Sequence, residues 1–566
     1  MKQFIFIFFF NLSFSCYAQN FHLTINGSNP AETQTIDSTN YSKIHKNTNS
    51  LLNEIRITSQ KLSKKGYIDN QALTTNKTND STYTTLIILK KQITSIHLNI
   101  KSINFISNLK TKKNDSIIIP YNEIENYLNK ITVDAEKQGY ALSKLKLENI
   151  RRENQTIYSD LKFESEKKRA INSIIIKHQN TTKTDYFPKG HLKQLNKKYT
   201  HKTFNQETLK ELYTDINNFE FLNQTKYPEI LFTSDSTKIY SYIEKRKANT
   251  FDGYIGFSNE ENKKIRLNGY LDITLLNTLH SGEQFSLYWK SDGNQQQSFN
   301  TKIEIPYIFQ SSLGIKAQLN IFKQDSTFQN TKTSIDLGYY LKYNSKIYLG
   351  YQSTESSDIQ NTNSSIISDY KNSFTTLTFD YIKNNNSNDL LHKKANIHST
   401  IGFGKRNTSN SPTPTKTTPQ LLLDLNLSYN FELNKKNYFY TNLQSQHLKS
   451  KNYITNELFR FGGLKSIRGF AENSLQGNNI NLLLTEYRYL TSQNLYIHSI
   501  LDCGLYQDQT TPANPKKFNT LFSAGLGLGL LTKNGLLKIT IANGSTNKTE
   551  IKLYNSMLNI NYNIKF

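Results

Sequence analysis

The sequence predicts a transmembrane antiparallel β-barrel of about 16 strands, preceded by tandem α+β domains. From Phe251 onward, segments alternate apolar and polar residues, as strands with one apolar and one wet face do. The chain has 35 Tyr and 32 Phe, although only 36% of its residues are hydrophobic. A membrane barrel needs apolar side chains at every second position only and carries aromatic girdles, so this composition favours it. Residues 19–250 instead show helical stretches between strands and an internal repeat.

The chain begins with a segment typical of a secretory signal peptide. Lys2 precedes the apolar run Phe4–Phe10, and the small residue Ala18 stands before the expected cleavage site. We therefore expect a signal peptide over residues 1–18. The alternative is a lipoprotein modified at Cys16, which the poor lipobox before that cysteine disfavours.

The charge and the cysteine content limit the classes of partner and the disulfide bonds that we expect. The chain has 69 Lys and Arg against 45 Asp and Glu, a formal charge of +24. Such an excess often indicates nucleic-acid binding, but an exported chain rarely meets nucleic acid, and the basic residues form no dense block. We expect no nucleic-acid partner and keep attraction to anionic lipid headgroups as a secondary alternative. Cleavage would leave Cys503 as the only cysteine, so we expect no internal disulfide.

The N-terminal region contains a repeat of about 75 residues, which predicts tandem α+β modules. Leu62–Tyr67 recurs as Ala135–Tyr140, offset by 73 positions (139 − 66). In both copies a helix ends at a glycine able to take the left-handed conformation, and an aromatic residue follows. A third unit has a helix over Gln206–Asn217 and carries Asn218 in place of the glycine. The expected domain boundaries are 19–92, 93–169 and 170–248.

The modules have two interpretations. Exposed edge strands in such domains can accept an extended polypeptide as an added strand. The alternative is that they are rigid spacers only.

Residues 249–566 form the predicted barrel. Odd-numbered positions are apolar from Leu421 to Leu433, while even-numbered positions are polar from Asp424 to Glu432. Short connections alternate with long polar ones, as in bacterial outer-membrane barrels. A soluble sandwich or propeller also alternates, but it would not require a signal peptide, two classes of loop length and an aromatic final strand together. The apolar face of that final strand comprises Leu558, Ile560, Tyr562, Ile564 and Phe566.

The most informative segment is Phe459–Phe470, in a long connection between two alternating segments. Its glycines would let the backbone turn tightly against a barrel wall. The motif residues are Gly462, Gly463, Ile467, Arg468, Gly469 and Phe470.

Two downstream acids, Glu486 and Asp502, fall on the polar faces of predicted strands. A buried guanidinium must be paired, and its planar donor fork suits carboxylates. We therefore expect the loop to fold into the barrel, with Arg468 pinned by Glu486 and Asp502. The alternative is that this pin stabilises the barrel and has no part in function.

These features together resemble the outer-membrane assembly-factor superfamily (BamA/TamA-like, bacterial surface antigen family), whose members carry POTRA domains before the barrel. Ile467-Arg468-Gly469-Phe470 matches the family's loop motif, Asp502 its Asp-x-Gly strand motif, and Glu486 its acidic strand position. The third unit departs from the repeat because it lacks Gly-Tyr. In length the chain is closer to TamA than to a five-POTRA insertase.

The resemblance implies an outer-membrane protein of a Gram-negative bacterium, with POTRA-like domains in the periplasm, that inserts or translocates client polypeptides without ATP. Its partners would be the outer-membrane bilayer, client polypeptides, and periplasmic or inner-membrane accessory proteins. The final strand, which ends at Phe566, would be its own assembly signal. We also expect the seam between the first strand, Phe251–Phe257, and the last to open laterally. The alternatives are a dedicated secretion pore of the two-partner type and, less favoured, a passive porin.

The sequence carries no enzyme signature. Its 11 His are scattered without metal-ligand spacing. Gly525–Gly529 mimics a nucleotide loop, but it fits a small-residue face inside a barrel better. We expect no catalytic residues, no metal site and no cofactor.

Overall fold

The computed structural model describes most of the chain after the expected signal peptide, which lies outside the described residues. The described residues are 20–100, 116–178, 186–259, 265–292, 296–360, 367–385, 388, 390–408, 416–510, 517–547 and 553–566. The chain divides into two compact units, one of residues 1–170 with 203–207 and one of residues 171–202 with 208–566. Within the described ranges, no helix has the length and apolar character needed to span a bilayer.

The first unit contains two α+β layers, and the first layer packs two helices on a mixed sheet. Its elements are β1 (Phe21–Asn26), α1 (Pro30–Asp37), β2 (Ile44–His45), α2 (Thr48–Lys64), β3 (Gln71–Ala72), β4 (Asn76–Lys77) and β5 (Thr82–Ile88). β1 is parallel to β5 and antiparallel to β2. α2 begins at a capping box in which the side chain of Asn47 accepts the Ser50 N–H at 2.8 Å. Its buried apolar residues, Leu51, Ile55 and Leu62, lie on one face, which packs on the sheet.

The second layer repeats this arrangement. Its elements are β6 (Ser95–Asn99), β7 (Ser116–Pro120), a 3₁₀ turn (Tyr121–Glu123), α3 (Ile124–Lys137), β8 (Lys144–Glu153) and β9 (Thr156–Glu164). β6 is parallel to β9, with β7 and β8 at the edges. The two repeated glycines have the predicted left-handed backbone, with φ of +101° at Gly66 and +98° at Gly139. The Tyr67 and Tyr140 N–H groups donate back to Leu62 and Ala135, which closes each helix end.

The second unit begins with a third mixed sheet. Its elements are β10 (Ser173–His178), α4 (Lys189–Tyr199), α5 (Gln206–Asn217), β11 (Leu222–Gln224), β12 (Glu229–Phe232) and β13 (Thr237–Lys245). β13 is parallel to β10 and antiparallel to β11 and β12. α5 has the predicted bounds, whereas α4 has no counterpart among the helices expected from the sequence. We call this α+β layer the third module.

The rest of the second unit is a closed antiparallel barrel of sixteen strands, which confirms the predicted fold class. The first eleven strands are β14 (Thr250–Asn259), β15 (Ile265–Leu276), β16 (Gln284–Ser291), β17 (Gln296–Ile305), β18 (Leu313–Gln324), β19 (Phe328–Lys342), β20 (Ser345–Asp358), β21 (Tyr370–Asn384), β22 (Lys393–Thr408), β23 (Lys416–Glu432) and β24 (Asn437–Ser450). A separate ribbon of β25 (Phe459–Phe461) and β26 (Leu475–Gly477) follows. The last five are β27 (Asn479–Leu490), β28 (Leu495–Gln507), β29 (Asn519–Thr532), β30 (Gly535–Thr546) and β31 (Met557–Lys565).

The barrel strands alternate outward and inward residues as the sequence predicts. On β19, the outward residues Ile335, Leu337, Tyr339 and Leu341 are at least half exposed, whereas the inward Asp336 and Tyr340 are buried. The first strand is longer than predicted, because β14 runs from Thr250 to Asn259 instead of from Phe251 to Phe257.

Candidate functional site

The connection between β24 and β27, residues 451–478, folds back against the inner wall of the barrel; we call it the inner loop. Phe461 and Ile467 of the loop form a buried cluster with Ile480, Leu482 and Leu484 of β27. These three β27 residues lie on the inward face, where a polar face is usual. The wall is apolar there because the loop, and not water, covers it.

Arg468 at the tip of the inner loop meets both predicted acids. Its Nε lies 2.8 Å from Asp502 Oδ2, its NH2 lies 2.5 Å from Asp502 Oδ1, and its backbone N–H donates to Oδ2 at 3.2 Å. Its NH1 contacts the Glu486 carboxylate, and NH2 also donates to the Thr485 carbonyl at 3.3 Å. Arg468 is 5% exposed and Asp502 is fully buried. The guanidinium therefore has the two-pronged carboxylate contact that its desolvation requires.

The ion pairs continue to a second arginine that the sequence analysis did not select. The other oxygen of Glu486 accepts a hydrogen bond from Arg488 Nε at 2.7 Å. The Arg488 guanidinium lies 4.2 Å from the Tyr440 ring centre, a cation–π distance. Two arginines thus alternate with two carboxylates, and the buried network carries no net charge.

Glycine is required at the loop tip because the backbone lies directly on the wall. Gly469 has φ of +81°, and a Cβ there would lie 2.5 Å from backbone atoms of Asn543 and Gly544 on β30. The Phe470 ring covers Gly544, where a Cβ would lie 2.4 Å from that ring. Gly462 and Gly463 have φ of +109° and +93°. The tip can approach β30 this closely only without side chains at the contact.

A second anchor, absent from the sequence analysis, holds the base of the inner loop. Glu457 ends a 3₁₀ turn, Thr455–Glu457, and its carboxylate pairs with Arg406 of β22. The other carboxylate oxygen accepts a hydrogen bond from Gln420 of β23 at 2.9 Å. The side chain of Glu457 is fully buried and that of Arg406 is 4% exposed.

The neighbouring Asn456 extends this anchor along the wall. Its Nδ2 donates to Ser356 of β20 at 2.7 Å and to the Ser368 carbonyl at 2.8 Å. Its carbonyl accepts from Asn330 of β19 at 2.6 Å and from the Tyr370 hydroxyl of β21 at 3.3 Å. Together, Asn456 and Glu457 bind side chains from five consecutive strands, β19–β23.

The inner loop contacts the seam side of the barrel much more weakly. Lys465 Nζ lies 3.2 Å from Asp272 of β15, but the Lys465 side chain is 77% exposed. Glu472 pairs with Lys290 and accepts the Tyr288 hydroxyl of β16 at 3.1 Å. A cavity of about 370 Å³ beside the loop is lined by residues of β15, β16 and β31 on this side and by residues of β23 and β24 on the other. Exposed ion pairs of this kind contribute about 0–1 kcal/mol each.

The seam between the first and last strands is short. Within the described residues, β14 and β31 pair at two positions, Thr250 with Lys565 and Phe251 with Ile564. β14 pairs with β15 along its whole length, from Thr250 to Asn259. One side-chain contact, from Asn561 to Asp252, also crosses the seam. The barrel is therefore closed at this place by few backbone hydrogen bonds.

The remaining predicted residues lie on the outer surface of the last strand. Leu558, Ile560 and Phe566 are more than half exposed on that surface, while Tyr562 and Ile564 are partly buried. Cys503 is a free, exposed cysteine of β28. Among the described residues, no group of three or more His, Cys, Asp and Glu side chains is arranged to hold a metal ion.

Comparison with known proteins places these features in a family. Residues 277–565 match the Omp85 superfamily domain, and no curated protein matches the chain. The solved structure of CdiB from Acinetobacter baumannii is 15% identical, with a TM-score of 0.50 over 81% of this chain and 84% of that chain. BamA from Haemophilus ducreyi, lacking POTRA domains 1–3, is also 15% identical, with a TM-score of 0.45 over 78% and 93% of the two chains. At 15% identity, the likeness to CdiB concerns the fold alone. Because the matched domain covers more than half of the sequence, the chain belongs to the Omp85 superfamily, in agreement with the resemblance that its sequence features together indicate.

Proposed function

We propose that this protein inserts client polypeptides into the outer membrane, or translocates them across it, without ATP and without catalytic residues. Membership of the Omp85 superfamily makes it an outer-membrane barrel of the insertion or secretion class. The observation that carries the finer proposal is the buried contact of Arg468 with Asp502 and Glu486. It holds the inner loop against one wall, next to a cavity inside the barrel that β15, β16 and β31 also line.

The seam is where we propose that a client strand enters. Within the part of the chain that the structure describes, β14 pairs with β31 at Thr250 and Phe251, so most of the β14 edge facing β31 lacks a strand partner there. An unpaired strand edge is a template for an added strand. The weak contacts of the inner loop with β15 and β16 allow the seam strands to move without breaking the buried anchors.

The N-terminal modules would act on the periplasmic side. We propose that residues 19–92, 93–169 and 170–248 are POTRA-like domains and that residues 249–566 are the barrel. The edge strands of these sheets, such as β7 and β8 of the second sheet, would receive clients or accessory proteins by β-augmentation. The last strand, ending at Phe566, would be the protein's own assembly signal.

Depletion of the protein, followed by proteomics of the outer membrane, tests the class of function. Insertion predicts a broad loss of barrel proteins. Loss of a single secreted protein, with other barrels unchanged, would instead identify a dedicated secretion pore. No change in either group would contradict both.

A reversible cross-link tests the seam. In a Cys503→Ala background, Thr250→Cys with Lys565→Cys joins β14 to β31 at a paired position. The matched control, Thr378→Cys with Thr400→Cys, joins β21 to β22, where the two hydroxyls are 2.8 Å apart. We expect the seam disulfide to abolish client insertion until it is reduced, and the control disulfide to leave insertion unchanged. Full activity of the oxidised seam variant would refute opening at this place.

A further inference from the structure

The third module is fixed to the short turns of the barrel by hydrogen bonds. Asn277, in the β15–β16 turn, donates from its side chain to the Tyr186 carbonyl at 2.9 Å. Gln194 of α4 donates to the Gln310 carbonyl at 2.8 Å and accepts the Ser312 hydroxyl at 3.0 Å in the β17–β18 turn. α4 therefore lies directly against this end of the barrel.

His191 is at the centre of this contact. It is 1% exposed, and its ring lies 4.8 Å from Tyr307, 5.1 Å from Phe219 and 5.4 Å from Tyr343, measured between ring centres. A Cβ at Gly282 would lie 2.0 Å from the His191 ring, so the turn passes directly over the imidazole. Neither ring nitrogen has a hydrogen-bond partner within the described part of the chain. In the described structure the imidazole is therefore held by aromatic packing.

A cleft of about 260 Å³ extends from His191 between α4 and the β19–β20 turn. On the α4 side it is lined by Gln194, Lys197 and Lys198. On the barrel side it is lined by the continuous segment Tyr339–Asn344.

One wall of the cleft belongs to the outward surface of the barrel. Tyr339 and Leu341 are 51% and 55% exposed and continue the outward row begun by Ile335 and Leu337. In a membrane barrel this row faces acyl chains, and tyrosines near a strand end mark the level of the lipid headgroups. The cleft therefore opens where a headgroup would lie.

The cleft carries a positive charge. Lys197 and Lys342 are exposed, and among the described residues neither is paired with an acid. Lys198 is paired with Asp215, which also lines the cleft. Three lysines and one aspartate give a net charge of +2. Basic pockets beside membrane-spanning segments bind anionic lipid headgroups.

We propose that this cleft binds the anionic headgroup of one phospholipid from the periplasmic leaflet. Lys197 and Lys342 would contact the phosphate, and the acyl chains would lie along Leu341, Tyr339 and Leu337. This proposal goes beyond the proposed function and uses only its orientation, with the short turns at the periplasmic face. A lipid here would hold α4 and β19 together at the membrane surface.

Lipid retention by the purified full-length protein tests the proposal. The protein is reconstituted in nanodiscs of phosphatidylcholine with phosphatidylglycerol, or of phosphatidylcholine alone, and retained lipid is counted by native mass spectrometry after detergent release. The test variant is Lys197→Glu with Lys342→Glu. The matched control, Lys193→Glu with Lys435→Glu, makes the same charge change at exposed positions outside the cleft lining, on the same helix and at another short turn.

We expect the wild type and the control to retain one phosphatidylglycerol preferentially. The cleft variant should lose this preference by at least about fivefold per lysine, because each Lys→Glu change reverses the charge. Lys197→Arg with Lys342→Arg keeps the charge and should retain the lipid, which separates loss of binding from loss of folding. Equal losses in the cleft and control variants, equal retention of phosphatidylcholine, or loss in the arginine variant would overturn the proposal. Displacement by millimolar inorganic phosphate would overturn it too, by assigning the cleft to a free anion.

The assay needs no client. Its failure therefore leaves the proposed insertion function standing, and failure of the depletion experiment leaves lipid binding standing.

Discussion

The two sides of the barrel are held in different ways. From β19 to β23 and from β27 to β30, the inner loop is bound to the wall by buried groups, including Asn456, Glu457 and Arg468. On the seam side, β15 and β16 meet the loop through partly exposed ion pairs and the Tyr288 hydroxyl, and within the described residues β14 pairs with β31 at two positions. The third module instead contacts three short turns on this end of the barrel, which connect β15 to β16, β17 to β18 and β19 to β20.

This difference shows how one barrel can combine a rigid wall with a seam that opens. Buried charge pairs are costly to break singly, because each break leaves an unpaired charge. Exposed pairs break at little cost. Motion is therefore expected on the side that the loop does not fix from inside.

The largest loss of stability is expected for a substitution at the tip of the inner loop. Arg468→Ala leaves Asp502 buried without its cation and Glu486 paired with Arg488 alone, which should cost about 3–5 kcal/mol. Urea unfolding of the purified barrel, followed by the heat-dependent shift in gel mobility, measures this loss. Arg468→Lys keeps the charge but not the two-pronged contact, so it should recover only part of the stability. An Arg468→Ala protein as stable as the wild type would show that the tip does not hold the loop.

A substitution at the base of the inner loop should cause a slightly smaller loss of stability. Arg406→Ala leaves Glu457 buried with the Gln420 amide as its remaining side-chain partner, and we expect a loss of about 3 kcal/mol. The same unfolding measurement applies. Combination with Arg468→Ala gives a double-mutant cycle: additive losses indicate two independent anchors, whereas strong coupling would mean that the loop is released as one unit.

The stability of the contact between the third module and the short turns of the barrel should depend on pH through His191. Burial, assisted by nearby Lys346, lowers the pKa of His191 to about 3, below its usual value of 6.5. The undocked imidazole binds a proton below pH 6.5 and the docked one does not. The contact of the third module with the barrel turns therefore has its full stability above pH 6.5 and weakens as the pH falls toward 3. At pH 5 its free energy should be reduced by about 2 kcal/mol.

Hydrogen exchange of α4 at pH 5 and pH 7.5, corrected for intrinsic rates, measures this weakening. His191→Phe keeps the aromatic packing and removes the titration, so its protection should be the same at both pH values. Protection that depends equally on pH in both proteins would contradict the assignment to His191.

The smallest change in stability is expected when the exposed ion pair of Lys465 with Asp272, on the seam side, is removed. Lys465→Ala removes the contact with Asp272 and should change the free energy of unfolding by about 0–1 kcal/mol. It is the matched control for Arg468→Ala, because both residues lie on the same loop. A loss comparable to that of Arg468→Ala would remove the difference between the two sides.

Much of the fold could be predicted because its signals are local. Alternation along β23 and β31, the helix over Gln206–Asn217 and the left-handed glycines Gly66 and Gly139 all follow from short-range geometry. The sequence also named Arg468, Glu486 and Asp502, because a glycine-flanked arginine before two strand acids is a recognisable pattern. α4 was missed because no repeat of the earlier modules marks it.

The second anchor and the His191 contact have no such pattern. Arg406 and Glu457 are 51 positions apart, and His191 meets Tyr307 and Tyr343 across two separate connections. One signal was available: Ile480, Leu482 and Leu484 make the inward face of β27 apolar, which indicates that something other than water covers it.

The sequence by itself determined the strand period, the order of the domains and the charged residues of the loop tip. Side-chain alternation and turn chemistry depend only on neighbouring residues. Only the tertiary structure decided which wall the loop is fixed to, where the barrel is weakly closed and what surrounds His191. These depend on which distant strands become neighbours when the barrel closes, and no local pattern encodes that.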